Sequence, residues 1–146
     1  MSIVGFNFEK ISIERKKNPG EVKGQIDIKN NTKIKDIVEE DAPNRKKGEI
    51  LRFSFEFNTL YEPAFGQTTI EGFCLYLDDV KKNKDTLSKW KKDKDLDKEL
   101  MSKVLNFVLA KCNIKALALS QDVNLPPQIP LPKLTAKKQE AEQYIG

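Results

Sequence analysis

The stretch LRFSFEFN, residues 51–58, alternates large apolar side chains with polar ones. Successive side chains of a β-strand point to opposite faces, so this period of two predicts a strand. Its odd-numbered residues should face a core, and its even-numbered residues should face water or a groove. An antiparallel sheet that covers a core on one side has this pattern. Residues 51–58 are therefore the clearest strand of the chain.

Two further strands are predicted, one after this strand in the sequence and one at the start of the chain. The segment EPAFG at residues 62–66 ends this strand with a turn. From Thr68 to Leu77, apolar residues occur at both odd and even positions, which predicts a strand covered on both faces. Alternation from Val4 to Ile13 predicts a first strand whose apolar phase slips by one residue. A β-bulge absorbs such a slip, and we place it near Glu9-Lys10.

The region between the first and third strands is less regular. Val22, Ile26 and Ile28 predict a second strand that stops at Asn30-Asn31. Residues 32–49 carry apolar islands among charges and several breakers, so we interpret them as a long connection with a short edge segment. Four antiparallel strands are therefore expected in the first half of the chain.

The second half begins with a lysine-rich crossover at residues 81–98. Only Leu87 and Trp90 are spaced there to face a core, which predicts a short helix or a solvated segment with Asp85 as N-cap. The main helix follows from Leu96, because apolar residues recur every four positions as far as Cys112.

Capping residues are available at both ends of this main helix. Asp95 or Asp97 suits its N-cap, and Asn113 suits its C-terminal end. Residues 114–119 then alternate weakly. The run LPPQIPLP at residues 125–132 must be extended, because proline fixes the backbone and bars a helix.

The fold class is therefore α+β, with a four-stranded antiparallel sheet followed by a crossover, a long helix, a proline-rich connector and a short C-terminal helix. Residues 135–146 are that terminal helix or a partly disordered tail. No linker divides the chain, so residues 1–146 are expected to be one domain.

Composition restricts the classes of function. The chain of 146 residues has 26 basic and 22 acidic residues, a net charge of +4, and only three arginines. No run reaches the roughly 18 consecutive apolar residues of a membrane-spanning helix, and no secretory signal opens the sequence. We therefore expect a cytoplasmic protein. Cys74 and Cys112 are expected to be small core residues.

Catalysis and cofactor binding lack the residues that they need. The chain has no histidine, and its seven glycines are scattered singly, so no phosphate loop is formed. Cys74 lies in an apolar strand without a base beside it. We predict that the protein is not an enzyme, with no catalytic residue, no metal site and no cofactor.

Two binding motifs have simple structural explanations. The lysines of residues 81–98 could contact phosphates, but interleaved aspartates balance them, and Trp90 alone could stack on a base. Pro127 and Pro130 form a PxxP ligand motif, although such runs more often lie across their own domain. We therefore predict no specific nucleic-acid partner and no membrane insertion.

The supply of apolar side chains exceeds what one thin domain can cover. Phenylalanine-rich strands, a wide apolar stripe on the main helix and leucines along the connector all need cover. The surplus is either buried in an oligomer or displayed to partners.

In this order of elements the chain resembles the SecB family of export chaperones. Residues 100–134 (LMSKVLNFVLAKCNIKALALSQDVNLPPQIPLPKL) resemble that family's helix and apolar, proline-bearing connector. Residues 50–77 (ILRFSFEFNTLYEPAFGQTTIEGFCLYL) are similar to its third and fourth strands with their hairpin. The resemblance covers most of the chain from Phe6 onward and rests on pattern more than on invariant motifs.

The resemblance implies an ATP-independent holdase, a chaperone that binds unfolded polypeptides or preproteins in apolar grooves for protein folding and transport. It also implies a homotetramer, a dimer of dimers joined through first strands, with the long helices between two sheets. The implied polypeptide-binding residues are Phe6, Phe8, Tyr76, Leu117, Leu119, Leu125, Ile129 and Leu131. The implied oligomer interface consists of Leu100, Val104, Phe107 and Val108.

Charge separates this chain from SecB proper, which is acidic and docks the SecA motor through that charge. Some SecB-like proteins instead guard antitoxins, and the sequence does not separate the two roles. An adaptor or structural subunit with a fixed protein partner, such as a toxin–antitoxin chaperone, is the alternative to a holdase. A nucleic-acid-binding module that uses the lysine crossover is a third hypothesis.

Overall fold

The chain forms a four-stranded antiparallel sheet followed by two helices, which confirms the predicted fold class. The computed structural model describes residues 2–17 and 24–132. The elements are β1 (Ser2–Arg15), β2 (Asp27–Glu39), β3 (Ile50–Glu62), β4 (Gly66–Leu77), α1 (Val80–Asp93) and α2 (Lys98–Asp122). Val22 and the predicted terminal segment 135–146 lie outside the described residues.

The strand order across the sheet is β1-β4-β3-β2, so β3 and β4 are central and β1 and β2 form the edges of the described sheet. The register of β3 is as predicted: its odd-numbered residues 51–57 are buried, and its even-numbered residues are only partly covered. In β4 the even-numbered residues are buried, and the opposite face is partly buried. One face of the sheet therefore holds the core.

The bulge predicted in β1 is present. The pairing between β1 and β4 shifts between Phe8 and Lys10, and a second shift lies between Ile3 and Gly5. These shifts keep Phe6 and Phe8 on the core side of the sheet, together with Ile11 and Ile13 farther along β1.

The predicted bounds of the second strand are wrong. β2 runs through Asn30-Asn31 to Glu39, a segment that we interpreted mainly as connection. Two hydrogen bonds bind the side chain of Asn30: it accepts from Thr59 Oγ1 at 2.7 Å and donates to the Gln128 carbonyl at 2.9 Å. A register shift after Ile34 brings both Ile34 and Ile37 to the core. Because Ile34 and Ile37 are three residues apart, they do not show the period of two that identifies a strand in the sequence.

Helix α1 fills the crossover and confirms the expected burial of Leu87 and Trp90. It starts after Asp79 and not at Asp85. Buried Asn83 donates to the carbonyls of Gly48 and Glu49, both at 2.9 Å, and thereby ties the helix to the preceding loop. The Trp90 ring nitrogen donates to Asp36 at 3.3 Å, so α1 packs beside β2.

Helix α2 is longer than predicted. Asp97 is its N-cap, as expected, and accepts hydrogen bonds from the Glu99 and Leu100 backbone amides. The helix continues past Asn113 to Asp122. The alanines and leucines of residues 114–119 favour a helix, and burial every fourth residue continues to Ser120, which a search for period two overlooked.

The first prediction compares the two faces of β3. Phe55 is 1% exposed, so Phe55→Ala should lower the free energy of unfolding by about 3–5 kcal/mol. Arg52 lies on the opposite face, where its Cζ atom is 3.6 Å from the Phe73 ring centroid and its guanidinium group pairs with Glu9 and Glu40. Arg52→Ala should therefore lower the free energy of unfolding by only about 1 kcal/mol. Urea unfolding at one protein concentration measures both. Equal losses would contradict the register.

The second prediction concerns the two cysteines, which are free and buried. Burial raises the pKa of the Cys74 thiol to about 11 and that of Cys112 to about 12. The folded chain therefore keeps both thiols protonated at pH values above 9.0, the ordinary pKa of a cysteine thiol, whereas the unfolded chain loses these protons. This contribution to stability is intact below pH 9 and is lost as the pH rises toward 11–12.

Native protein at pH 8 should react slowly with iodoacetamide and fully in guanidinium chloride. The unfolding free energy of Cys74→Ala/Cys112→Ala should fall less steeply with pH above 9 than that of the parent chain. Rapid alkylation of the native chain would show that the thiols are accessible.

Candidate functional site

The core face of the sheet is only partly covered by helix α2. The buried residues of α2 (Val104, Val108, Cys112, Ala116 and Ser120) run along its centre and lie against the sheet. Apolar side chains on both flanks of α2, including Leu105 and Phe107, are only partly buried. Each flank of α2 therefore borders a strip of apolar sheet, one toward β2 and one toward β1.

On the β2 flank, the proline connector of residues 123–132 lies across the sheet. Leu125 is buried in a second apolar cluster with Tyr61 and Phe65. The Tyr61 hydroxyl donates to the Pro126 carbonyl at 2.7 Å, and burial raises the pKa of Tyr61 to about 12. The tyrosine thus stays a neutral donor and fixes the start of the connector.

Gln128 fixes the middle of the connector. Its side-chain amide donates to the Asn113 carbonyl of α2 at 2.8 Å, and its own carbonyl accepts from Asn30 of β2 at 2.9 Å. The Gln128 side-chain oxygen is buried without a hydrogen-bond partner. Side-chain and backbone hydrogen bonds thus join helix, connector and edge strand at one point.

A groove of about 750 Å³ opens beside this anchored connector. Its walls are Gln25 and Ile28 on one side and residues 127–131 on the other. Ile129 is partly exposed, and Leu131 is 41% exposed. The prolines prevent the connector from forming regular secondary structure, so the groove keeps an apolar wall with a fixed backbone.

The β1 flank carries an aromatic surface, which consists of Phe6, Phe8 and Phe107. The Phe6 ring centroid lies 5.0 Å from that of Phe8 and 5.6 Å from that of Phe107. Phe6 also stacks on buried Phe55 at 5.4 Å. Gly72 permits this packing, because a Cβ there would lie 2.9 Å from the Phe55 ring and would also meet the β1 backbone.

The residues predicted to bind polypeptide therefore fall on two surfaces. Ile129 and Leu131 line the connector groove, whereas Phe6 and Phe8 lie at the opposite edge of the sheet. These two pairs of residues therefore do not line one common groove. The strand order β1-β4-β3-β2 separates them.

The remaining predicted binding residues lie closer to the core. Tyr76 and Leu125 are 6% and 5% exposed, so both are core side chains in this chain. Leu117 and Leu119 lie in the last turns of α2 and are partly buried. Leu117 follows Asn113 by one turn, and Leu119 follows Lys115 by one turn, so they extend different flanks of the helix.

The four residues predicted at a subunit contact also divide. Val104 and Val108 have 0% exposure, because they pack on the chain's own sheet. Leu100 and Phe107 are partly buried and retain surface for a partner. The most exposed large apolar side chain on α2 is Ile114, at 72%, which the period-four stripe did not include.

Sequence reasoning missed Ile28, Lys111 and Lys115. The Lys111 ammonium lies 5.7 Å from the Phe107 ring centroid, and the Lys115 ammonium lies 5.9 Å from that of Phe8. A search for lysines four residues apart on the flank of the main helix could have found both. No pattern along the chain places Ile28 beside the connector.

Among the residues that the structure describes, no helix is both long and apolar enough to span a membrane.

Comparisons with known proteins identify the fold. No family model and no curated protein sequence matches the chain. Among solved structures it is similar to the Mycobacterium tuberculosis SecB-like chaperone Rv1957, whose structure contains a ChAD peptide from the Rv1956 HigA1 antitoxin. The identity is 12%, the TM-score is 0.51, and the match covers 92% of this chain and 89% of that one. The chain therefore has the fold of a SecB-like chaperone.

Proposed function

We propose that this chain is an ATP-independent holdase that acts in the cytoplasm and binds unfolded or preprotein polypeptides. The observation that carries the proposal is the apolar groove between the proline connector and Ile28. The aromatic surface on the β1 flank adds a second apolar contact region. The similar SecB-like chaperone was solved with a peptide bound, which supports a polypeptide as the class of ligand.

The physics of the groove suits a chaperone. Apolar burial contributes about 25 cal/mol per Å² whatever the sequence of the client, so such binding tolerates many clients. The connector backbone is restrained by its prolines and by the bonds to Pro126 and Gln128. The groove therefore loses little conformational freedom when a client enters, which raises affinity.

A non-enzymatic role is part of the proposal. The chain has no histidine to move protons near neutral pH. Burial raises the pKa values of Cys74 and Cys112, which leaves both as weak nucleophiles. The features of the site are apolar side chains and a rigid backbone, which are means of binding.

A fixed protein partner is the second candidate function. The similar SecB-like chaperone holds a peptide from an antitoxin, and such a peptide is one defined sequence. A chain dedicated to one partner would bind that segment tightly and protect unrelated clients poorly. Suppression of aggregation measured on several unrelated unfolded proteins distinguishes the two candidates.

We also propose that the chain assembles into a homo-oligomer, a dimer of dimers. The outward ridge of α2 is exposed and uncharged, and its residues are spaced by four: Asn106, Ala110, Ile114 and Ala118. Small side chains allow close approach of two helices, and burial of Ile114 would then stabilise the contact. Phe107 lies beside this ridge, whereas Leu100, Val104 and Val108 lie in the row that faces the sheet and would act through the fold of each subunit.

The third prediction tests the groove. Ile129→Ser/Leu131→Ser should weaken suppression of client aggregation several-fold, because the substitutions remove apolar surface from the groove wall. The melting temperature and the mass of the assembly should not change, since neither side chain is fully buried. Light scattering of a denatured client at several ratios of chain to client measures the activity.

Leu60→Ser is the matched control for the groove, because Leu60 is 42% exposed on the opposite face of the sheet. It should retain full activity. If the groove variant also suppresses aggregation at the level of the parent chain, the connector groove is not the client site.

The fourth prediction tests the assembly. Ile114→Glu should lower the native mass at micromolar concentration, because it places a charge in the helix contact. It should leave the circular dichroism spectrum unchanged, since Ile114 is exposed in the single chain. Native mass spectrometry and sedimentation report the mass, with Leu60→Glu as the control. A monomeric parent chain at that concentration would contradict the proposed oligomer.

A further inference from the structure

The aromatic surface on the β1 flank has a basic rim. Lys111 and Lys115 lie one helical turn apart on α2, and each ammonium group lies within 6 Å of a phenylalanine ring centroid. At this distance an ammonium is attracted to the face of an aromatic ring. The rings and the charges therefore form one surface.

These two ammonium groups have no acidic partner in the part of the chain that the structure describes. The ion pairs of the described residues lie elsewhere: Lys29–Glu62, Lys35–Glu56, Lys35–Glu71, Arg45–Glu49, Arg52–Glu9, Arg52–Glu40 and Lys89–Asp95. On the opposite face of the sheet, Arg52 and Lys35 are each paired with two carboxylates. The β1 flank thus presents unbalanced positive charge beside apolar rings.

The spacing of the lysines matches an extended peptide. Four residues of α-helix rise about 6 Å, which separates Lys111 and Lys115 along the axis of α2. Alternate side chains of an extended chain lie about 6.6–6.8 Å apart on one side. Acidic residues at positions i and i+2 of a client can therefore each reach one lysine, while neighbouring apolar residues contact Phe6, Phe8 or Phe107.

We propose that the β1 flank selects client segments in which acidic residues alternate with aromatic or aliphatic ones. The proposal rests on the proposed holdase function and adds a charge preference to it. The lysines act as selectivity residues at the rim, and the apolar rings supply most of the buried area. Unfolded clients that carry lysine or arginine at the same positions are disfavoured by repulsion.

The test uses three fluorescein-labelled peptides that share one apolar sequence and differ at alternate positions, which carry glutamate, glutamine or lysine. Fluorescence anisotropy with the full chain measures each affinity. We expect the glutamate peptide to bind about five-fold tighter than the glutamine peptide, with the lysine peptide weakest, because two partly exposed ion pairs contribute this much. The preference should disappear at about 0.5 M NaCl.

Lys111→Glu/Lys115→Glu should reverse the order of the peptides. Lys81→Glu/Lys84→Glu is the matched control, because it makes the same change of charge on the exposed side of α1 and should keep the parent order. Equal affinities for the three peptides, or the same order in both double variants, would overturn the charge preference and leave the holdase function intact. If no peptide binds and the chain does not suppress aggregation, both the charge preference and the holdase function are overturned.

A single-stranded oligonucleotide tests whether the β1 flank binds nucleic acid instead of acidic polypeptides. Phenylalanine rings with a lysine rim also suit base stacking and phosphate contacts. Oligothymidine that displaces the glutamate peptide, and binds the parent chain more tightly than that peptide does, would overturn the proposal. Displacement by unlabelled glutamate peptide alone supports it.

Discussion

The structure depends on a mismatch of width between one helix and the sheet that it must cover. A helix with its side chains is about 10–12 Å across. Four strands at a spacing of about 4.8 Å span roughly 14 Å between their axes, and more with side chains. Helix α2 therefore covers the centre of the sheet, where β3 and β4 bury their apolar residues, and leaves a strip on each flank.

The two strips of sheet are covered by different parts of the chain, and this difference produces the connector groove on one flank and the aromatic surface on the other. On the β2 flank, α1 covers one half through Trp90, and the connector covers the other half through Leu125 and Gln128. On the β1 flank, the described residues supply only side chains, chiefly phenylalanines under a rim of lysines. Gly72 matters here because it leaves the space in which rings from β1 and β3 meet.

Local pattern predicted several features that depend on one element. The alternation of β3, the bulge near Glu9-Lys10 and the cap at Asp97 follow from neighbouring residues alone, and each is confirmed. The strand through Asn30-Asn31 was not predictable in this way, because its polar side chains are satisfied by Thr59 and Gln128, which lie far away in sequence. The division of the binding residues depends on strand order, which no local pattern contains.

The connector shows why an apolar wall of this kind does not collapse into the core. Its prolines provide no backbone donors, so few of its polar groups need partners within the fold. Tyr61 and Asn30 satisfy two of its carbonyls, and Leu125 fills the gap that Gly66 leaves. Because these contacts fix the segment before Ile129, the apolar side chains that follow remain at the surface. The same restraints that complete the fold thus keep the groove open to a polypeptide.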